Sequence, residues 1–199
     1  MKTALQILRG FIAAIAILPL IASTVIAKPK SLKIQSISYA GTGTPQGTVA
    51  QSFSSDRMSF TLIFDQFVAS SGPGAPASEA SKNSAFTLEL QGDPGGGHAN
   101  LAVTVRGFVQ LPDGVTGTVT TRLRQGPSGK IVPGSESTET FNGPLAKDYL
   151  VRRDFDLNPS AWSSAVSDGA VVEVVIALSG PDLLSAQLTV DSLDGKLTR

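Results

Sequence analysis

Apolar residues recur at every second position through most of this chain, and that period restricts it to extended structure. In "RMSFTLIFDQF", Met58, Phe60, Leu62 and Phe64 fall on one side. Phe86, Leu88 and Leu90 repeat the pattern in "SAFTLEL", as do Leu101, Val103, Val105, Val109 and Leu111 in "NLAVTVRGFVQL", with Gly107 between them. Side chains two apart in an extended chain share a face, so these segments predict half-buried strands. Further strands are expected at Leu32–Tyr39, Thr48–Phe53, Val115–Arg124, Asp148–Leu157, Ala170–Leu178 and Ala186–Leu193. "AVVEVVIAL" is nearly continuous in β-branched and apolar residues, as a strand covered on both sides would be, and is expected at the centre of a sheet. Between the runs lie "GTGTPQG", "GDPGGG", "LPDG", "QGPSGKIVPGS", "NGP" and "SGPD", the glycine and proline punctuation of turns. About nine short strands separated in this way predict an all-β fold, an antiparallel β-sandwich or jelly roll. The Gly-Pro pairs show no constant spacing, so no solenoid or propeller is expected.

The N-terminus follows different rules. "MKTALQILRG" carries Lys2 and Arg9, an apolar run extends from Phe11 to Ala27, and Val25 and Ala27 supply small residues before Lys28. This is the pattern of a secretory signal peptide, with cleavage expected after Ala27. The run is about 17 residues, at the lower limit for a membrane span, and Pro19 interrupts it. Residues 28–199 are then expected to form one β-sandwich domain, secreted or periplasmic, with no membrane span after cleavage. That segment has 199 minus 27, or 172, residues, and 14 Lys plus Arg against 16 Asp plus Glu, a net charge of minus two. The balance offers no long-range attraction to nucleic acid or acidic lipid. There is no cysteine, which excludes disulfides, thiolate catalysis, cysteine zinc sites and a lipoprotein-type anchor.

Few residues point to chemistry. His98, the only histidine, lies in "GDPGGGHAN"; without a nucleophile elbow or a phosphate-loop lysine it reads as part of an exposed turn. Asp113 in "LPDG" and Asp191 and Asp194 in "VDSLDG" are the candidate calcium ligands, although Asp followed by Gly is also ordinary turn chemistry. A glycosidase would need two carboxylates brought together in space. Asp154 and Asp156, on the outward face of a strand, do not supply that pair by themselves. Trp162 and Tyr149, with Tyr39 as a third, are the candidate aromatic platforms for a sugar ring; Trp162 more often serves as a plug at one end of the core, and that reading is preferred. Arg153 shares a face with Tyr149, Val151, Phe155 and Leu157, and is expected to snorkel at a sheet rim rather than meet a buried acid. No cofactor is implied.

The order of the motifs "YAGTGTPQGTV", "TLIFDQFVASSGPG", "SKNS", "RGFVQLPDGVTGT", "FNGPLAKDYL", "AWSSA" and "VDSLDGK" resembles an uncharacterised secreted family, domain of unknown function 4360, of fungi and cyanobacteria. The resemblance spans Tyr39 to Lys196. It implies secretion and the same fold, and carries no activity. Family members usually have cysteine at the positions of Thr44, Ser84 and approximately Ala165, where this chain has none. The resemblance therefore implies that the long segment Ala69–Asn83, about fifteen residues rich in Ala, Ser, Gly and Pro, ends where a disulfide commonly ties it. Here it is expected to be a surface loop whose anchor is missing. The combined expectation is an exported, noncatalytic binding or cell-surface-associated module whose partner is a glycan or a surface protein. A carbohydrate-binding module, an envelope or matrix structural protein assembled through strand edges, and a carboxylate-dependent glycoside hydrolase are the alternatives.

Overall fold

A computed structural model describes residues 32–91, 99–125, 130–157, 169–181 and 184–198. Among these residues, thirteen strand segments form two antiparallel sheets: β1 (Lys33–Ala40), β2 (Val49–Phe53), β3 (Ser59–Phe64), β4 (Val68–Ser71), β5 (Ser81–Gln91), β6 (Ala99–Leu111), β7 (Thr116–Gln125), β8 (Lys130–Ile131), β9 (Ser137–Asn142), β10 (Leu145–Leu157), β11 (Ala170–Ser179), β12 (Ala186–Thr189) and β13 (Ser192–Thr198). One sheet runs β1-β5-β11-β7, with β8 and β9 following one another along the far edge of β7. The other runs β2-β3-β13-β6-β10, with β4 continuing β3 and β12 preceding β13 in the same positions. The result is a β-sandwich of five strand positions on five.

The alternation explains the sandwich. Phe60, Leu62, Leu101, Val103, Val105, Leu193 and Leu197 of one sheet face Phe86, Leu88, Val119, Leu123, Val172, Val174 and Ile176 of the other, and all are buried. Burying such a side chain stabilises by about 1.5–3 kcal/mol, so the core accounts for the fold without covalent ties. The strand expected to be central, β11, is the third of five in its sheet. On its outer face Glu173 accepts from Arg122 and, at 2.6 Å, from Arg124 Nε, both on β7. Burial alone would raise this carboxyl, but the hydrogen bonds and charges of the two arginines outweigh it and hold the group below its ordinary value.

Two departures from a simple alternation matter. The segment expected as one strand, Ala186–Leu193, is broken: Ala186, Leu188 and Val190 are buried, then Leu193 and Leu197, so the buried phase slips by one residue between 190 and 193. The other break is in β3 and β4, where Phe60, Leu62 and Phe64 are followed by Phe67 and Ala69. Each slip is a bulge that keeps apolar residues inward on both sides of a bend. The slips are adjacent and bonded to one another: Phe64 N donates to Asp191 O at 3.0 Å, and Val190 N to Phe67 O at 2.8 Å.

The segment Ala69–Asn83 differs from the expected loop. Its first residues belong to β4, which pairs with β12, and its last to β5. Between them lie a turn at 72–75, closed by Ala75 N donating to Gly72 O at 3.0 Å, and a 3-10 turn at Ala77–Ala80. The disulfide is absent as expected, and a hydrogen bond stands at the same two positions. Thr44 and Ser84, both buried, meet through their hydroxyls at 2.5 Å.

Candidate functional site

The bonds that replace the expected loop also build a cleft. Three segments meet there: the 41–48 connection between β1 and β2, the bulge at 65–67, and the 3-10 turn with the start of β5. The first is stitched to β5 residue by residue. Gly43 N donates to Asn83 O at 2.9 Å, Thr42 Oγ1 donates to Asn83 Oδ1 at 2.8 Å, and Asn83 N donates back to Thr42 Oγ1 at 3.1 Å. Gly41 permits this approach, since a Cβ there would lie 2.2 Å from the Asn83 carbonyl oxygen. The bulge is held from the other side, where Asp65 N donates to Thr48 O at 3.0 Å.

The phase slip then sorts the side chains. Phe64 and Phe67 both turn inward and pack edge to face at 5.6 Å, leaving Asp65 and Gln66 exposed between them. On the facing wall, Lys82 Nζ lies 2.8 Å from Glu79 Oε1, with the lysine side chain 14% exposed. The cleft is open to solvent, has a volume of about 290 Å³ and is lined by Thr42, Pro45, Asp65, Gln66, Val68, Ser70, Glu79 and Lys82. Carboxylates accept, the ammonium donates, and the hydroxyls and the amide do both. With the Glu79 charge balanced by Lys82, Asp65 is the charge in the lining without an opposite partner there. Such a lining can exchange hydrogen bonds with hydroxyl groups and opposes an anion.

Of the site candidates named from the sequence, those among the described residues, Tyr149, Tyr39, Asp113, Asp191 and Asp194, do not line this cleft. Tyr149 is a core residue, 7% exposed, rather than a platform: its ring lies 5.2 Å from that of Phe141, and its hydroxyl donates to the Thr189 carbonyl. Burial, and secondarily the Asp191 carboxylate, hold its phenol above the ordinary value, so it remains a donor. Tyr39 packs against the core from the edge strand β1. Trp162 and His98 lie outside the described residues. Asp113, Asp191 and Asp194 are not brought into one ligand set. Asp113 is in the exposed β6–β7 turn, Asp191 accepts from Thr189 Oγ1 at 2.8 Å, and Asp194 is taken by Arg106 and, at 2.6 Å, by Thr61 Oγ1. Among the described residues no cluster of three or more acidic or histidine side chains suited to a metal is present. Arg153 stands at a rim as expected, facing inward from β10 with Nη2 3.7 Å from the half-exposed Glu139 of β9.

The cleft residues were accessible to one signal in the sequence, the three-residue spacing from Phe64 to Phe67 in "IFDQF". Alternation requires two, and an extra residue in a strand marks a bulge that re-aims side chains.

A family profile described as Domain of unknown function (DUF4360) matches residues 30–199. The chain is 34% identical over 168 residues to an uncharacterized secreted protein of Arthroderma benhamiae, a match that covers 83% of this chain and 67% of that protein. Among solved structures it is similar to the enzymatically active domain of tailspike protein 4 of bacteriophage CBA120, with a TM-score of 0.33 and 14% identity over 83% of this chain and 20% of that one. It is also similar to TmCBM61, solved in complex with beta-1,4-galactotriose, with a TM-score of 0.30 and 10% identity over 84% of this chain and 90% of that one. At these scores neither structure bears on the cleft.

Proposed function

We propose that this chain, which belongs to the domain of unknown function 4360 family, is an exported, noncatalytic binding module that holds a neutral polyhydroxylated ligand, such as a glycan, in the cleft of Thr42, Asp65, Gln66, Ser70, Glu79 and Lys82. Export is supported by the apolar N-terminal run and by a relative described as secreted. The observation that carries the binding reading is the polar lining itself. Hydroxyl groups both donate and accept, and the cleft offers carboxylate acceptors beside ammonium and amide donors in a space of about 290 Å³, just below the usual range for small-molecule sites. Pro45 and Val68 supply an apolar surface for the carbon skeleton of a sugar.

The same lining contains two carboxylates, Asp65 and Glu79, but Glu79 is committed to Lys82. An ion-paired carboxylate suits the acceptance of ligand hydroxyls better than delivery of a proton, which favours binding over glycoside cleavage. The reading is tested by the thermal unfolding midpoint of the exported chain with calcium, with a chelator and with a panel of soluble glycans. A glycan at a hundred times its dissociation constant adds about 2.7 kcal/mol and raises the midpoint by about 5–10 °C. Asp65→Ala and Gln66→Ala are expected to remove that shift while leaving the unliganded midpoint in place. A calcium-dependent shift, or no shift with any glycan, contradicts the reading.

A further inference from the structure

The edges of the two sheets are unequal. Strand β2 has five residues and β4 four, β1 carries a register shift between Ile34 and Ser36, and β8 and β9 are separated by a turn. Strand β10 is different: it pairs with β6 without interruption over thirteen residues, and among the described residues no strand pairs with its other edge. A long regular edge is a template for another strand unless its side chains forbid it. The outward face of β10 carries Asp148, Leu150, Arg152 and Asp154, and Leu150 is 59% exposed.

These residues fit a second copy of themselves. In an antiparallel pair of β10 strands with the two-fold axis at Leu150, the two Leu150 side chains meet on one face. Asp148 of each copy then stands opposite Arg152 of the other. Directly opposite residues in such a pair share a face and lie close enough for apolar and charge contacts. Moving the axis by one residue destroys the match. At Tyr149 it sets Leu150 against Asp148, and at Val151 it sets Leu150 against Arg152 and Asp148 against Asp154. Within one copy Arg152 Nη2 lies 3.6 Å from Asp154 Oδ1, on an exposed surface, a pair that contributes little there and with which Asp148 of the second copy would compete. The Arg152 carbonyl now accepts from Arg153 Nη1 at 2.8 Å, a side-chain cap that a backbone donor from the second copy would replace.

We propose that the exported chain self-associates through β10, in an antiparallel pairing centred on Leu150, to form a dimer with a sheet continuous across both copies. The observations are independent of the cleft formed by the 41–48 connection, the 65–67 bulge, β4, the 3-10 turn and β5, and the test reads association rather than ligand binding. Sedimentation velocity of the purified chain over a concentration series is expected to show a monomer–dimer equilibrium. Arg152→Asp places like charges opposite one another and weakens association by at least about tenfold. The double exchange Asp148→Arg with Arg152→Asp restores the opposite-charge pairs and returns association close to the original. Both positions are exposed, and an unchanged thermal midpoint confirms that each variant is folded. A chain that stays monomeric at its highest soluble concentration, a dimer indifferent to Arg152→Asp, or a double exchange that fails to restore association overturns the proposal.

Discussion

The Thr44 and Ser84 hydroxyls occupy positions where the family resemblance implies cysteines, and they still meet, at 2.5 Å and fully inside the structure. A hydrogen bond between two buried hydroxyls is fragile in one respect: deleting one partner leaves the other desolvated and unpaired. Ser84→Ala is therefore expected to destabilise by about 1–3 kcal/mol, whereas Thr44→Val combined with Ser84→Ala recovers most of the loss, since no polar group is then left behind. Urea unfolding midpoints of the two variants check this. Tyr149 presents a second case. Its phenol is held above its ordinary value by burial and by Asp191, so the folded state keeps its proton more tightly than the unfolded chain. The resulting stability is complete below about pH 10, the unfolded phenol value, and is lost as pH rises beyond it. Tyr149→Phe is expected to cost about 1 kcal/mol at neutral pH and to show a shallower alkaline decline than the native chain in a pH series of unfolding midpoints.

Strands β6 and β10 show how an element accommodates such a residue. Tyr149 stands opposite Gly107 in the register, and its hydroxyl crosses β6 to reach the Thr189 carbonyl on β12. A Cβ on Gly107 would lie 2.0 Å from that carbonyl oxygen and 2.7 Å from the phenol. Gly107→Ala is thus expected to be strongly destabilising, by about 3 kcal/mol or more, because backbone and a packed ring must both move. Gly117→Ala, where the atoms nearest to a Cβ are those of the Leu111 and Leu188 side chains at 3.5 Å, is expected to change stability by less than about 1 kcal/mol. Thermal midpoints of the pair separate close approach from a general intolerance of side chains in strands. The alternation made β3, β5, β6, β7 and β11 legible in the sequence, and Gly107 stood out as an interruption among valines. The phase slips were harder to see. Phe64 to Phe67 and Val190 to Leu193 each look like the end of a strand, because the hydrogen bonds that bridge the two breaks join residues more than a hundred positions apart and have no local signal.

At the scale of the molecule, an all-β body and the lack of covalent ties followed from patterns that depend on composition and near neighbours, and the expectation of export rests on the same kind of pattern. The cleft did not follow from such patterns, because it is assembled from three segments whose meeting is decided by pairing across the sandwich. Tyr149 illustrates the limit: its residue type suggested a sugar platform, but its place opposite a glycine drew it into the core. Residues such as Asp65, Gln66, Glu79 and Lys82 are ordinary loop residues until the bulge and the 3-10 turn set them facing one space. Whether this space holds a neutral polyhydroxylated ligand is decided by amide chemical-shift mapping of the isotopically labelled chain, titrated with the glycan that most raises its thermal midpoint. Saturable shifts concentrated at Thr42, Asp65, Gln66, Ser70, Glu79 and Lys82 are the predicted result. Saturable shifts centred elsewhere, or the absence of saturable shifts with any glycan, would contradict it.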